Sequence, residues 1–261
     1  MTGTGTTVTL EWESEAVARL TLDRPDAANS IDARVAADLY AAARQVRFSG
    51  RAKAAVVTGR GRFFSAGADL KEHDKAPGWI WDLRRAIDEL EAMELPVVAA
   101  LNGPAMGGGA EIALACDIRL AARSIRIGLP EIKFGALPGA GGPQRLVRLV
   151  GPGWAKRLIM TGEALTAEQA AAIGLVEEVV DDADLQDRAS ELAATLAAHA
   201  GYALSAAKFA VDRGAGLPLQ EGLALGYRLV DEMGSEEEFY AEVEKAIARD
   251  PTYARIFRPE P

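Results

Sequence analysis

Val97-Val98-Ala99-Ala100-Leu101-Asn102-Gly103-Pro104-Ala105-Met106-Gly107-Gly108-Gly109-Ala110-Glu111 is the stretch on which the fold turns. Its first five residues form an unbroken apolar run, the pattern of a strand covered on both faces of a parallel sheet. Asn102-Gly103-Pro104 breaks that run, three consecutive glycines follow, and residues 110–116 read as a helix. A strand, a glycine-rich turn and a helix in this order leave free main-chain N–H groups at the helix start, where the macrodipole favours negative charge. Such an end can hold a phosphate, or an oxyanion developing on a carbonyl. Neither G-x-x-x-x-G-K-[ST] nor a spaced G-x-G-x-x-G is present, and Glu111 would set a carboxylate where the phosphate must sit. The acyl oxyanion is the better electrostatic fit: amides take the charge while the carboxylate moves protons.

Outward from this stretch the pattern repeats. Val8, Leu10 and Trp12 alternate, as do Ala18, Leu20 and Leu22, which predicts a β-hairpin. Ser30 or Asp32 caps a helix with Val35, Leu39, Ala42 and Val46 on one face, and Gly50 stops it. Residues 54–58 form a buried strand, and Ile80, Leu83, Ile87 and Leu90 share one face of a second helix. Residues 118–121 and 177–180 read as further strands. The β-α-β-α order predicts an α/β fold with a mostly parallel sheet and helices on its faces. From Asp182 onward the character is helical, over 185–199, 205–213, 219–233 and 236–248. The change predicts a core over residues 1–200 and a helical region over 201–261. Leu217, Leu219, Leu223, Leu225, Leu229 and Val230 make that region apolar on more than one face, as in helices covered by another surface.

The 261 residues carry 29 basic and 38 acidic side chains, a net charge of −9, which disfavours nucleic acid and anionic membranes as partners. The charge-free stretch from Leu95 to Ala110 is too short and too broken by glycine and proline to cross a bilayer. No leader pattern opens the chain, and the lone cysteine, Cys116, suits a reducing, cytoplasmic setting. His73 and His199 have no ligands at metal spacing, and Ser65 has no evident His-Asp partnership, so neither a metal centre nor a serine hydrolase is expected.

Three segments bear chemistry, each just after a strand or turn, where open α/β sheets place ligands. They are Phe63-Phe64-Ser65-Ala66-Gly67-Ala68-Asp69-Leu70-Lys71, the glycine run ending at Glu111, and Leu129-Pro130-Glu131 with Gly135-Ala136-Leu137-Pro138-Gly139-Ala140-Gly141-Gly142-Pro143-Gln144-Arg145. Singly, each has a bland reading: glutamate is common in a first helical turn, and Pro-Glu often only starts a turn. Their order and spacing decide. With Arg24-Pro25, Asn29, Cys116-Asp117, Thr161-Gly162 and residues 170–176, they resemble the enoyl-CoA hydratases of the crotonase superfamily, from about residue 6 to about residue 215.

The resemblance implies a spiral of ββα turns with a C-terminal helical region used for trimerisation, and two trimers often stacked as a hexamer. It implies that the Ala68 and Gly108 amides form an oxyanion hole and that Glu111 and Glu131 are the catalytic pair. Glu111 would orient and activate water, and Glu131 would give the proton to the α-carbon. Arg24, Ala66, Ala68, Asp69, Leu70, Lys71 and Gly108 correspond to substrate or CoA contacts. Arg255 or Arg258 could supply the C-terminal cation that relatives use on CoA. For Trp79 and Trp81, walls of the acyl pocket and positions on a core face or subunit contact are equally open. The implied activity is that of a lyase: reversible syn-hydration of a 2-enoyl-CoA, with no cofactor beyond the CoA of the substrate and with fatty-acid metabolism as one setting. The retained glutamate pair disfavours an isomerase, a hydrolase or a silent CoA-binding protein, and leaves a specialised dehydratase open.

Overall fold

The computed structural model describes residues 6–71 and 78–250. The chain opens with a hairpin of β1 (Val8–Trp12) and β2 (Val17–Leu22), antiparallel, with Leu10 opposite Leu20. Asp32, not Ser30, caps α1 (Ala33–Arg47): its Oδ1 accepts from Val35 N at 2.9 Å. Val35, Leu39 and Val46 on α1 are buried, each worth about 1.5–3 kcal/mol relative to exposure. Next come β3 (Ala54–Gly59), α2 (Trp79–Glu91), β4 (Val97–Leu101), β5 (Ala105–Met106) and α3 (Gly108–Ala115). β6 (Ile118–Ala122), β7 (Arg126–Gly128), a 3-10 turn at Pro130–Phe134, α4 (Gly142–Thr161), β8 (Ala164–Thr166), α5 (Ala167–Ala172), β9 (Glu178–Val180) and α6 (Leu185–Ala197) follow.

These strands form two rows. The larger sheet runs β1-β2-β3-β4-β6-β9, parallel after the hairpin, and β3 and β4 are buried along their whole length. The smaller row is β5-β7-β8, and single bridges between Ile31 and Ala68 and between Ser65 and Ala105 extend it. Each circuit thus gives a strand to the large sheet, a short extended piece to the small row, and then a helix. This is the spiral of ββα units that the resemblance in the sequence implies. The α1 and α2 helices pack on each other, and α6 packs on β3, β4 and β6.

Arg119, only 2% exposed, holds α3 at its far end. It donates to Cys116 O at 2.7 Å and to Leu175 O at 3.0 Å, and it pairs with Glu177 at 2.6 Å. A buried guanidinium is tolerable only with its donors satisfied in this way. The α4 helix runs through Gly151-Pro152-Gly153 across a kink at Gly151 (φ 74°).

Two compact units divide the chain, Met1–Ala198 and His199–Pro261. The second contains α7 (Gly201–Gly214), longer than the expected 205–213, then α8 (Leu219–Glu232) and α9 (Glu236–Arg249). Phe209, Val211, Leu219, Tyr227 and Val230 on α7 and α8 are exposed. Among the described residues no helix is long and apolar enough to cross a membrane.

Candidate active site

One cavity of about 580 Å3 brings Ala68, Gly108, Glu111 and Glu131 together, although they come from three separate segments. Leu70, Trp79, Ile80, Leu83 and Leu137 line its apolar side. The Ala68 loop and the start of α3 approach so closely that only glycine fits between them. At Gly67 (φ +86°) a Cβ would lie 2.5 Å from Met106 O and 3.2 Å from Gly108 N. At Gly107 (φ +53°) a Cβ would lie 2.8 Å from Glu131 Oε1. These glycines therefore serve a close approach of backbone to backbone and to the Glu131 side chain, at φ values other residues rarely adopt.

The approach leaves two donors on one wall. Neither the Ala68 nor the Gly108 amide donates to another described residue: the bridge to Ile31 uses Gly67 O and Asp69 N, and Gly108 opens its helix. The Ala68 loop is fastened by Asn29, fully buried with φ 51°, whose Nδ2 donates to Arg60 O (3.0 Å) and Phe63 O (2.8 Å). Ser65 Oγ in turn donates to Asn29 O at 2.8 Å, so the serine holds the loop rather than acting as a nucleophile. Asn102 ties the same loop to β4, accepting from Gly59 N at 2.9 Å and donating to Gly61 O at 2.8 Å. The fastening role of these two asparagines comes from structure alone, since an asparagine beside a strand end reads only as a turn residue.

The two carboxylates sit in different surroundings. Glu111, 2% exposed on the first turn of α3, accepts on Oε1 from Ala140 N (2.7 Å) and Gly142 N (2.8 Å). Burial pushes its pKa up, while those two amides and the charges of Arg145 and Arg84 pull it back. Glu131 lies half-buried on the 3-10 turn, and its Oε2 is buried with no hydrogen-bond partner. Burial raises its pKa to about 7; its own amide opposes the shift, and the negative charge of Glu111 adds to it. Both carboxyls are thus pushed upward, and two acids sharing one cavity can hold a single proton between them.

The remaining expected contacts separate into two groups. Leu70 lines the cavity; Ala66, Arg24, Asp69 and Lys71 do not. Arg24 pairs with Asp69 at 2.9 Å and donates to Ser30 O at 2.8 Å. Burial alone would raise Asp69, but the Arg24 hydrogen bond, the Lys71 amide and the Arg24 charge outweigh it and hold that carboxyl low. Ala66 and Lys71 are exposed. Trp79 walls the cavity, whereas Trp81 is 64% exposed with the Arg84 guanidinium 4.4 Å from its ring. Residues 72–77, with His73, and the C-terminal Arg255 and Arg258 lie outside the described residues. Among the described residues no group of three His, Cys, Asp or Glu side chains is placed to hold a metal ion.

Known proteins share both sequence and fold with this chain. The family model described as enoyl-CoA hydratase/isomerase matches residues 12–253. The chain belongs to that family. The match reaches well past residue 215, where the resemblance in the sequence motifs ends. Among curated relatives of this family member, the 2,3-dehydroadipyl-CoA hydratase of Escherichia coli is 38% identical, over 86% of this chain and 89% of that protein. The short-chain-enoyl-CoA hydratase of Clostridium acetobutylicum is also 38% identical, over 88% of this chain and 90% of that protein. The crystal structure of an enoyl-CoA hydratase from Bacillus anthracis superposes with a TM-score of 0.83 at 35% identity, over 86% of this chain and 90% of that one.

Proposed function

We propose that this enzyme adds water reversibly, in syn fashion, across the double bond of a 2-enoyl-CoA to give the 3-hydroxyacyl-CoA. One observation carries the reading: two glutamates share a cavity with two free main-chain amides, and one glutamate accepts two amide hydrogen bonds while the other has a buried oxygen with no partner among the described residues. Glu111, ionised, takes a proton from water as the water oxygen bonds to the β-carbon. Glu131, protonated, gives its proton to the α-carbon. The charge that gathers on the thioester oxygen is met by the N–H groups of Ala68 and Gly108, and losing one such donor typically costs about 2.7–4 kcal/mol. After the addition Glu111 carries the proton and Glu131 does not, so the pair is singly protonated on both sides of the reaction. The apparent pKa values belong to the pair rather than to either side chain.

The chemistry is redox-neutral and needs no cofactor, coenzyme A being part of the substrate. The motif correspondence supports Arg24, Ala66, Asp69 and Lys71 as the CoA side of the site; for Arg24 and Asp69, which bond to each other, that role is one of shaping the loop. The exposed apolar side chains of α7 and α8 support assembly as a homotrimer or a hexamer through the region 201–261. The single, buried Cys116 suits a cytoplasmic enzyme, with fatty-acid metabolism as one setting. The test is a hydration assay of purified protein with crotonyl-CoA and longer 2-enoyl-CoAs, following loss of the conjugated thioester absorbance. Hydration of at least one chain length, abolished in Glu131→Gln, is expected; no hydration at any length overturns the reading.

A further inference from the structure

The two amides that hold Glu111 belong to a strap, residues 139–142, with no side chain to anchor it except the methyl of Ala140. Its outward-facing carbonyls are taken by two arginines. Arg84 Nε, from α2, donates to Gly139 O at 2.6 Å. The Nη1 of Arg145, from α4, donates to Ala140 O at 2.9 Å. Arg145 is itself fixed to α2, through Asp88 at 2.9 Å and Glu91 at 2.7 Å, and its side chain is only 12% exposed. Arg84 lies over the Trp81 ring. The peptide joining Gly139 to Ala140 is thus held by Arg84 at its carbonyl and by Glu111 at its N–H. Arg145 holds the middle of the strap at Ala140 O and, through its own backbone N–H, at Gly141 O (3.1 Å), the carbonyl of the peptide whose N–H is Gly142's.

We infer that Arg84 and Arg145 are positioning residues: they clamp the 139–142 strap from behind so that the Ala140 and Gly142 amides hold Glu111 in place as the water-activating base. The inference rests on the proposed role of Glu111. The charged groups acting on that carboxylate are Arg84 on α2, Arg145 on α4 and Glu131 on the 3-10 turn, with Asp88 and Glu91 partly neutralising Arg145. A carbonyl that accepts from a guanidinium makes the N–H of the same peptide a stronger donor, as Arg84 does for the Ala140 N–H, whereas Arg145 orients the strap. The arginines therefore favour the ionised base both by orienting the amides and by direct charge.

The test uses Arg84→Met, Arg84→Lys and Arg145→Met in the full chain, with Arg85→Met as a control, since Arg85 lies on α2 with a side chain 63% exposed. We expect Arg84→Met and Arg145→Met to lower kcat about tenfold each, with KM changed less than about twofold. The double variant should lose less than the product of the two, because both act on one strap. The acid limb of kcat/KM should move up by about half a pH unit, since losing a cation weakens the ionised form of Glu111. Arg84→Lys should recover part of kcat, and Arg85→Met should match the parent. An unchanged kcat and acid limb in Arg84→Met, or a loss confined to KM, overturns the clamp. Should Arg145→Met fail to fold, Arg84→Met decides alone, because the Asp88 and Glu91 pairs remain in it. Glu111→Gln separates the two claims: if that variant retains full kcat, the role of Glu111 fails; if it is inactive while Arg84→Met is normal, only the clamp fails.

Discussion

The segment 102–115 and the segment 129–137 each deliver one glutamate to the same cavity, by opposite means. The first is a strand, a glycine turn and a helix, buried throughout α3, and its Glu111 is met by two amides. The second is a short 3-10 turn and the loop after it, half-buried or exposed over residues 131–137, and its Glu131 leaves one buried oxygen without a partner among the described residues. Solvation and hydrogen bonding, not residue type, distinguish the two: the carboxylate given donors is suited to negative charge, the one denied them to a proton.

The comparison breaks most visibly at the glutamates themselves. Glu131→Gln and Glu111→Gln are each expected to lower kcat by about 10²–10⁴-fold with KM little changed, as loss of a positioned acid or base does. Comparable KM values with unequal exchange of the α-proton in deuterated solvent would assign the α-carbon step to Glu131. Gly67→Ala comes next. It forces a Cβ at φ +86° to within 2.5 Å of Met106 O, which strains the backbone by about 1–3 kcal/mol and displaces the Ala68 and Gly108 amides, the proposed oxyanion donors. A loss in kcat of about 10²-fold is expected from such a displacement, with the glutamate-dependent pH profile intact.

Smaller effects probe the protonation states. Hydration needs the pair to hold one proton, so kcat/KM should fall about tenfold per pH unit above about 7, and Gln at 131 should remove that limb. For stability the sign follows from Glu131 being raised from 4.5 to about 7 on folding. The folded state holds the proton more tightly, so the stabilisation is full below 4.5 and is lost as pH rises through 7. Glu131→Gln, which cannot ionise, should be more stable than the parent at pH 8 by about 1 kcal/mol, a modest figure because the side chain is partly solvated. Thermal melts at pH 4.5 and pH 8 check this; equal melting shifts at both values would contradict it.

Much of the architecture could be read from the chain because its strands are continuous apolar runs and its first helices have clear stripes. Val97–Leu101 and the stripe from Val35 to Val46 are buried as their patterns require. The small row of strands could not be read: β5 has two residues and β7 three, too few for any period to show. The α4 helix was masked by Gly151-Pro152-Gly153, whose local preference is overridden by packing on either side of the kink. At the site, Glu111 and Glu131 stood out because glycine and proline surround them. Arg84 does not, since an arginine on a helix reads as surface charge and a bond spanning 55 residues to a loop carbonyl leaves no local trace.

The α2 helix carries a lesson for anyone reshaping this catalyst. Ile80 touches both the acyl chamber and the place where Gly139 would carry a side chain (3.2 Å), and Arg84 stands one turn further along. Carving room at Ile80 for a bulkier thioester would slacken the same turn that steadies the base, so variants bred for new substrates should tire in turnover before they gain in scope.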